Sequence, residues 1–287
     1  MTSPTPLGLA AVHLIGLALV GMACRASPDP VRLAYQLGDQ TSYVVSLEQK
    51  MAVRMGEHAM DGSRVLRAGY SIRAAAAPVG VDLNAIVRFD SVHVDLVLGP
   101  SQHRIDTRHL PGREFALRVP AAGGPPQYDG DGVPTMEMGD RGGGSVPASL
   151  LVEYAFPALT DEPLSVGSTW TERTTRRQLE ASVWVTADVT TTHTVVGYDT
   201  VEGRRCLVIE SESSGSTSDG SAHGATFEYA GNVRGSARWC FDAAGGALLS
   251  MSGEEVTSGL VDPDERSASI DQTSTITIRH VATEVGR

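Results

Sequence analysis

Apolar and polar side chains alternate along Ser42–Met55. The odd positions read Tyr43, Val45, Leu47, Gln49, Met51, Val53 and Met55, the even ones Ser42, Val44, Ser46, Glu48, Lys50, Ala52 and Arg54. A period of 2 puts the two sets on opposite faces of a strand. A helix would instead space its apolar positions at i, i+3 and i+4. At about 3.3 Å per residue the stretch would span roughly 46 Å, about twice an ordinary strand. So long a strand twists, and its apolar face needs cover along its whole length. Val183–Val195 repeats the pattern, with Val183, Val185, Ala187, Val189, Thr191, His193 and Val195 on one face. Its β-branched content favours a pleated surface. The two stripes predict an all-β chain with at most one or two short helices, folded as a large, curled, half-barrel-like antiparallel sheet.

The remaining pattern fills in the order. Val31–Leu37 alternates and reads as a short first strand. Asp61-Gly62 is a hairpin signal, with Ser63–Ala76 as the return strand. Ala85–Phe89 and Val92–Leu98 alternate in opposite phase, which implies a bulge at Asp90-Ser91. Gln102–Thr107 and Arg113–Val119 read as strands. Residues 121–147, rich in Gly, Pro and Asp, read as a long exposed connection. Ser145–Tyr154 reads as a short helix stopped by Pro157. Further strands are predicted at Arg205–Ser211, Ala225–Val233, Ser236–Asp242, Ala247–Ser252 and Ser269–Val281, with Ser211–Gly224 as a polar loop. Strand-then-turn sequences ending in Ala121-Ala-Gly-Gly124 and Ala243-Ala-Gly-Gly246 hint at two repeated halves, 31–120 and 148–287, within a β-rich domain spanning 31–287.

Charge narrows the partners. The chain has 287 residues and a formal net charge of -11, so bulk electrostatics disfavours nucleic acid and anionic lipid head groups. Leu7–Met22 is an uncharged apolar run, interrupted by His13, with the length of a signal-peptide core. It predicts export and a signal peptide over 1–23. Gly21-Met-Ala-Cys24 resembles a bacterial lipobox, which implies lipidation of Cys24 and a linker over 24–30. Ordinary cleavage near Ala23 or Ala26, leaving an unanchored protein, is the alternative. Of the 3 cysteines, Cys206 and Cys240 remain as a pair. In an exported chain such a pair forms a disulfide, here worth about 4 kcal/mol on the chain-entropy model; two buried free thiols are the alternative.

Several short motifs together resemble a family of uncharacterised bacterial envelope lipoproteins. They are Tyr35-Gln-Leu-Gly38, Leu110–Val119 running into Ala-Ala-Gly-Gly, and Phe156-Pro-Ala-Leu159 leading to Val166-Gly-Ser-Thr-Trp170. More loosely, the architecture is similar to the half-barrel lipoprotein carriers LolA, LolB and LppX. That resemblance implies a concave apolar face sheltering acyl chains, and it carries over no binding residue.

Catalytic and metal-binding constellations are not legible. His103, Asp106 and His109 would lie along one strand, with the two histidines about 20 Å apart, too far to share an ion. Asp129, Asp131, Glu137 and Asp140 fall at Ca²⁺-loop spacings, but Val133 and Pro134 stand where a ligand and a glycine are required. Gly142–Ser145 is neither a nucleophile elbow nor a phosphate loop. Glu254-Glu255, in a turn-like region, would point to opposite faces. His193, Trp170, Trp184 and Trp239 read as core or rim residues. The expectation is a non-enzymatic cell-envelope lipoprotein without cofactor or metal, anchored to a membrane through Cys24. Its concave face would bind a lipid or other apolar ligand. An envelope scaffold contacting a partner through 121–147 and Ser211–Gly224 is the alternative.

Overall fold

The computed structural model describes residues 29–75, 78, 80–128, 132–138, 144–181, 183–222, 225–261 and 268–281. The leader, Cys24, Asp129, Asp131, Asp140, Gly142 and Gly143 lie outside the described residues.

The long alternating stretch is strand β1 (Thr41–Met55), whose odd side chains Tyr43, Val45, Leu47, Gln49 and Met51 are buried. It pairs along its length with β2 (His58–Ala74) on one side and β14 (Ala268–Val281) on the other. From β2 the sheet continues to β3 (Leu83–Leu98), β5 (Glu114–Val119) and β6 (Gln127–Tyr128), with β4 (Ser101–Arg104) beside β3. The chain then crosses the concave side through a two-stranded piece, β7 (Thr135–Glu137) and β8 (Ser145–Pro147), and helix α1 (Leu150–Glu153). It enters the opposite edge as β9 (Thr169–Glu180). From there it meanders back through β10 (Val183–Val201), β11 (Arg204–Ala222), β12 (Ala225–Asp242) and β13 (Ala247–Val261) to β14. The result is an antiparallel sheet of 12 strands that does not close on itself. Residues of both predicted halves meet at the β1–β14 pair and share one apolar core.

The predicted bulge is present, since Gly69 pairs with Ser91 and Tyr70 with Phe89, leaving Asp90 over. Other expectations fail for physical reasons. Asp61-Gly62 is not the hairpin turn; the chain reverses at Gly56 (φ 59°) and both residues sit inside β2. Gly62 is needed there because a Cβ would come within 2.9 Å of the Val97 carbonyl. Val31–Leu37 is not a strand. It forms one β-bridge, Val31–Leu164, and buries Leu33, Tyr35 and Leu37 against the concave face. Alternation there reflects a segment sandwiched between two layers.

Ser211–Ala222 is not a loop but most of β11, paired on both sides. Its small residues permit tight curvature, since a Cβ on Gly215 would lie 2.1 Å from the Asp188 carbonyl. Glu254 and Glu255 belong to β13 rather than a turn. The predicted helix shortens to one turn because Ser145–Pro147 pairs as β8. Gln102–Thr107 shortens to β4, and Ala225–Val233 and Ser236–Asp242 fuse into β12. Residues 121–147 are not simply exposed: Met136, Met138 and Val146 are buried.

Both Ala-Ala-Gly-Gly sequences form turns that grip the N-terminal segment. The Gln36 amide donates to the Gly246 carbonyl at 2.9 Å, and Gly123 lies where a Cβ would meet Pro157 and Tyr35. The Tyr35 hydroxyl donates to the Pro157 carbonyl at 2.7 Å. Behind the sheet, Cys206 and Cys240 form the expected disulfide, with a Cα–Cα distance of 5.4 Å, packed with Val208 and Leu249.

Candidate functional site

The register aligns one row of side chains across the concave face. Arg64 pairs with Gln49, Gln49 with Ser274, and Ser274 with Glu255. The row continues through Gly235, Ser213 and Thr191 to Glu172. Every member is polar or glycine, and the row beside it on the Leu47 side begins apolar. That row reads Leu66, Leu47, Ile276, Gly253, Ala237, Ser211, His193 and Trp170 by the same pairings.

The belt is hydrogen-bonded in two runs. The Arg64 Nε donates to Gln49 Oε1 at 2.7 Å, and Gln49 Nε2 donates to Ser274 Oγ at 3.1 Å. Thr191 Oγ1 and Ser213 Oγ lie 2.9 Å apart. From the facing edge strand, Arg176 pairs with Glu255.

Between the belt, the inward face of β9 and the α1 segment lies a hollow of about 610 Å³. Leu47, Leu66, Leu150, Leu151, Phe156, Leu179 and Trp184 give it apolar walls, and Arg64, Gln49, Glu153, Tyr154, Arg176 and Gln272 give it a polar side. A smaller recess of about 190 Å³ sits beside it against His193, Ser211 and Trp239. The hollow persists because β9 presents Glu172, Thr174, Arg176 and Gln178 inward, and such side chains reach for partners rather than pack densely. The last residues of β9 lean across to the far side. The Leu179 carbonyl accepts from Arg64 Nη2 at 3.4 Å and Gln272 Nε2 at 3.3 Å, and Tyr229 donates to Glu180. Burial raises the Glu180 carboxyl above its ordinary range, against the pull of the Tyr229 and Gln178 hydrogen bonds. Burial likewise raises Glu153. Arg64 is buried, and burial pushes its guanidinium down to about 10, which leaves it charged at neutral pH.

Ser211, His193 and Glu172 come together in the recess. His193 Nδ1 lies 2.7 Å from Ser211 Oγ, and Nε2 lies 3.5 Å from Glu172 Oε1. Ser211 Oγ also accepts the Trp239 indole N–H at 2.7 Å. Trp170 stacks on the His193 ring at 4.7 Å. These residues lie on paired strands, His193 opposite Ser211 and Trp170.

The other sequence candidates stay apart. His103 is exposed on β4, and the His109 ring nitrogen contacts the Thr135 carbonyl at 2.9 Å. Asp106 pairs with Arg108, whose hydrogen bonds hold its carboxyl well below the usual range. Glu137 is exposed on β7, where its carboxylate accepts from the Thr135 hydroxyl. Among the described residues no group of three or more His, Cys, Asp or Glu is placed to hold a metal ion, and no helix is long and apolar enough to cross a membrane. Reading the sequence for known motifs missed the belt. Its signal was Gln49 standing on the apolar face of β1.

The class defined by this fold is an open, curled antiparallel sheet with a self-filled concave side. No family model matches the chain, and no curated protein matches it. Among solved structures, it is similar to a Bacteroides fragilis protein with a YMCC-like fold, at 8% identity over 88% of this chain and 100% of that one, with a TM-score of 0.21. It is also similar to a DUF1329 family protein from Desulfovibrio piger, at 9% identity over 87% of this chain and 88% of that one, with a TM-score of 0.15. A third likeness is to Pseudomonas aeruginosa OccK11, at 9% identity over 87% and 99%, with a TM-score of 0.20. Scores this low carry no argument about what the chain does.

Proposed function

We propose that this is an exported, non-enzymatic protein of the bacterial cell envelope that shelters an amphiphilic ligand in the concave hollow. In this reading Cys24 is lipidated and holds the protein at a membrane. The hollow carries the argument: about 610 Å³ falls within the roughly 300–1,000 Å³ usual for small-molecule sites. Its combination of apolar walls and a hydrogen-bonded belt suits a molecule with a hydrocarbon body and a polar end. The Cys206–Cys240 disulfide and the apolar leader support an oxidising compartment. The ligand is not a long acyl chain spread over the whole sheet, because residues 31–37 and the α1 segment already occupy one end of the concave side.

The test is extraction of the protein purified from its own membranes, followed by mass spectrometry of the extract. A stoichiometric amphiphile, with rebinding to the stripped protein, is the expected result. A stripped protein that takes up no acyl compound would end the proposal. Labelled palmitate incorporation that disappears in Cys24→Ala tests the anchor separately.

A further inference from the structure

Arg64 is 2% exposed, yet it forms no ion pair among the described residues. Its Nε and Nη2 bond only to neutral oxygens, those of Gln49 and the Leu179 backbone, and its Nη1 finds no partner. A buried guanidinium in this state is costly, because its lost hydration is not offset by an opposite charge. The acids nearby do not relieve it: Glu255 is engaged by Arg176, and Glu153 takes the Tyr128 hydroxyl. Arg64 lines the hollow with Tyr154 and Gln272 beside it, next to the apolar wall of Leu47 and Leu66.

We infer that the hollow is a receptor for an amphiphile with an anionic head group of the carboxylate type, with Arg64 Nη1 as its charged anchor. The inference rests on the sheltering function proposed above and names the chemistry of its ligand. Nη1 is itself enclosed, so the side chains around it must part for a carboxylate oxygen to reach it; that oxygen would complete the guanidinium's hydrogen bonds and neutralise it, while the hydrocarbon end follows the leucine wall. A charge-assisted bond to a planar guanidinium favours such an oxygen over a neutral hydroxyl.

Titration of the stripped full chain with palmitate, 1-hexadecanol and butyrate, read by calorimetry, tests this. Palmitate should bind at least about tenfold more tightly than the alcohol, as a hydrogen bond to a charged group implies. Butyrate should bind far more weakly than palmitate. Arg64→Met should abolish the preference for the acid, and Arg64→Lys should retain part of it. Equal affinity of the parent protein for acid and alcohol overturns the head-group assignment and leaves the shelter intact. Butyrate binding as tightly as palmitate overturns the amphiphile and leaves a small-anion site. Failure of all three to bind removes the sheltering function itself. The parent's own acid-to-alcohol ratio decides the matter even if the Arg64 variants fail to fold.

Discussion

The two ends of the concave face are built from the same strands and meet opposite fates. At one end Tyr35 sits edge-on to Phe156 and Phe241, each at 5.4 Å, and an aromatic line runs through Tyr43, Tyr70, Phe89 and Phe115. At the other, Arg64, Gln49, Glu172 and Arg176 surround open space. Curvature alone does not decide which end is hollow. The cover does: Leu33 and Leu37, with Met136, Val152 and Leu159, bring apolar side chains that interdigitate with the sheet. The inward face of β9 brings charged and amide groups, which must find partners singly and leave gaps. A curled sheet thus fills where its covering segment is oily and stays open where it is polar.

The sharpest way to break this comparison is to truncate one side chain at each end. Phe89→Ala should destabilise by about 3–5 kcal/mol, because a fully buried aromatic leaves a cavity in a packed region. Thr174→Ala, on the wall of the hollow, should change the urea midpoint by less than about 0.5 kcal/mol. Similar losses would mean that both ends are packed alike. Next in size is the disulfide, which staples β11 to β12 behind the filled end. Cys206→Ser with Cys240→Ser should cost roughly 2–4 kcal/mol, with ligand binding to the folded protein unchanged. If the pair of substitutions emptied the hollow as well, the two ends would be mechanically coupled.

The architecture was legible because period-2 stripes run through β1 and β10, and one buried face per strand fixes their register. The disulfide followed from cysteine count and an oxidising address. Turns were less legible where a glycine serves close approach rather than reversal, as Gly62 does inside β2. Ser- and Gly-rich β11 looked like a loop because small residues signal turns locally, whereas here they admit neighbouring backbones. The site was hidden because its members are scattered in sequence. Gln49, Arg64, Glu172, Glu255 and Ser274 become neighbours only through strand pairing, and each alone looks like an interruption of a pattern. The strand bearing Glu172 and Arg176 was missed outright, since its inward face is polar and gives no apolar alternation.

A finer test asks whether the hollow is held open at a cost. Arg64→Met removes one short and one long hydrogen bond from a charged donor, together worth roughly 3 kcal/mol. It also removes a buried charge whose desolvation costs several kcal/mol. The unliganded protein should therefore gain roughly 1 kcal/mol, read as a higher urea midpoint. A lower midpoint would mean that the belt is structural cement, and the contrast between the two ends would lose its energetic basis.

The smallest effect concerns Glu180, buried at the end of β9. Its folded carboxyl titrates above its ordinary value of 4.5, chiefly through burial. The folded state therefore holds this proton over a range where the unfolded chain has released it. That share of stability is complete below the ordinary value and is lost as pH rises through the raised one. Glu153 shifts in the same sense and adds to the slope. Glu180→Gln keeps an acceptor for the Tyr229 hydroxyl but cannot ionise. Its midpoint should meet the parent's near pH 4 and stand progressively above it towards neutrality. Parallel curves from about pH 4 to pH 8 would mean that the acid is well solvated, and that the polar end of the concave face carries no more strain than the filled one.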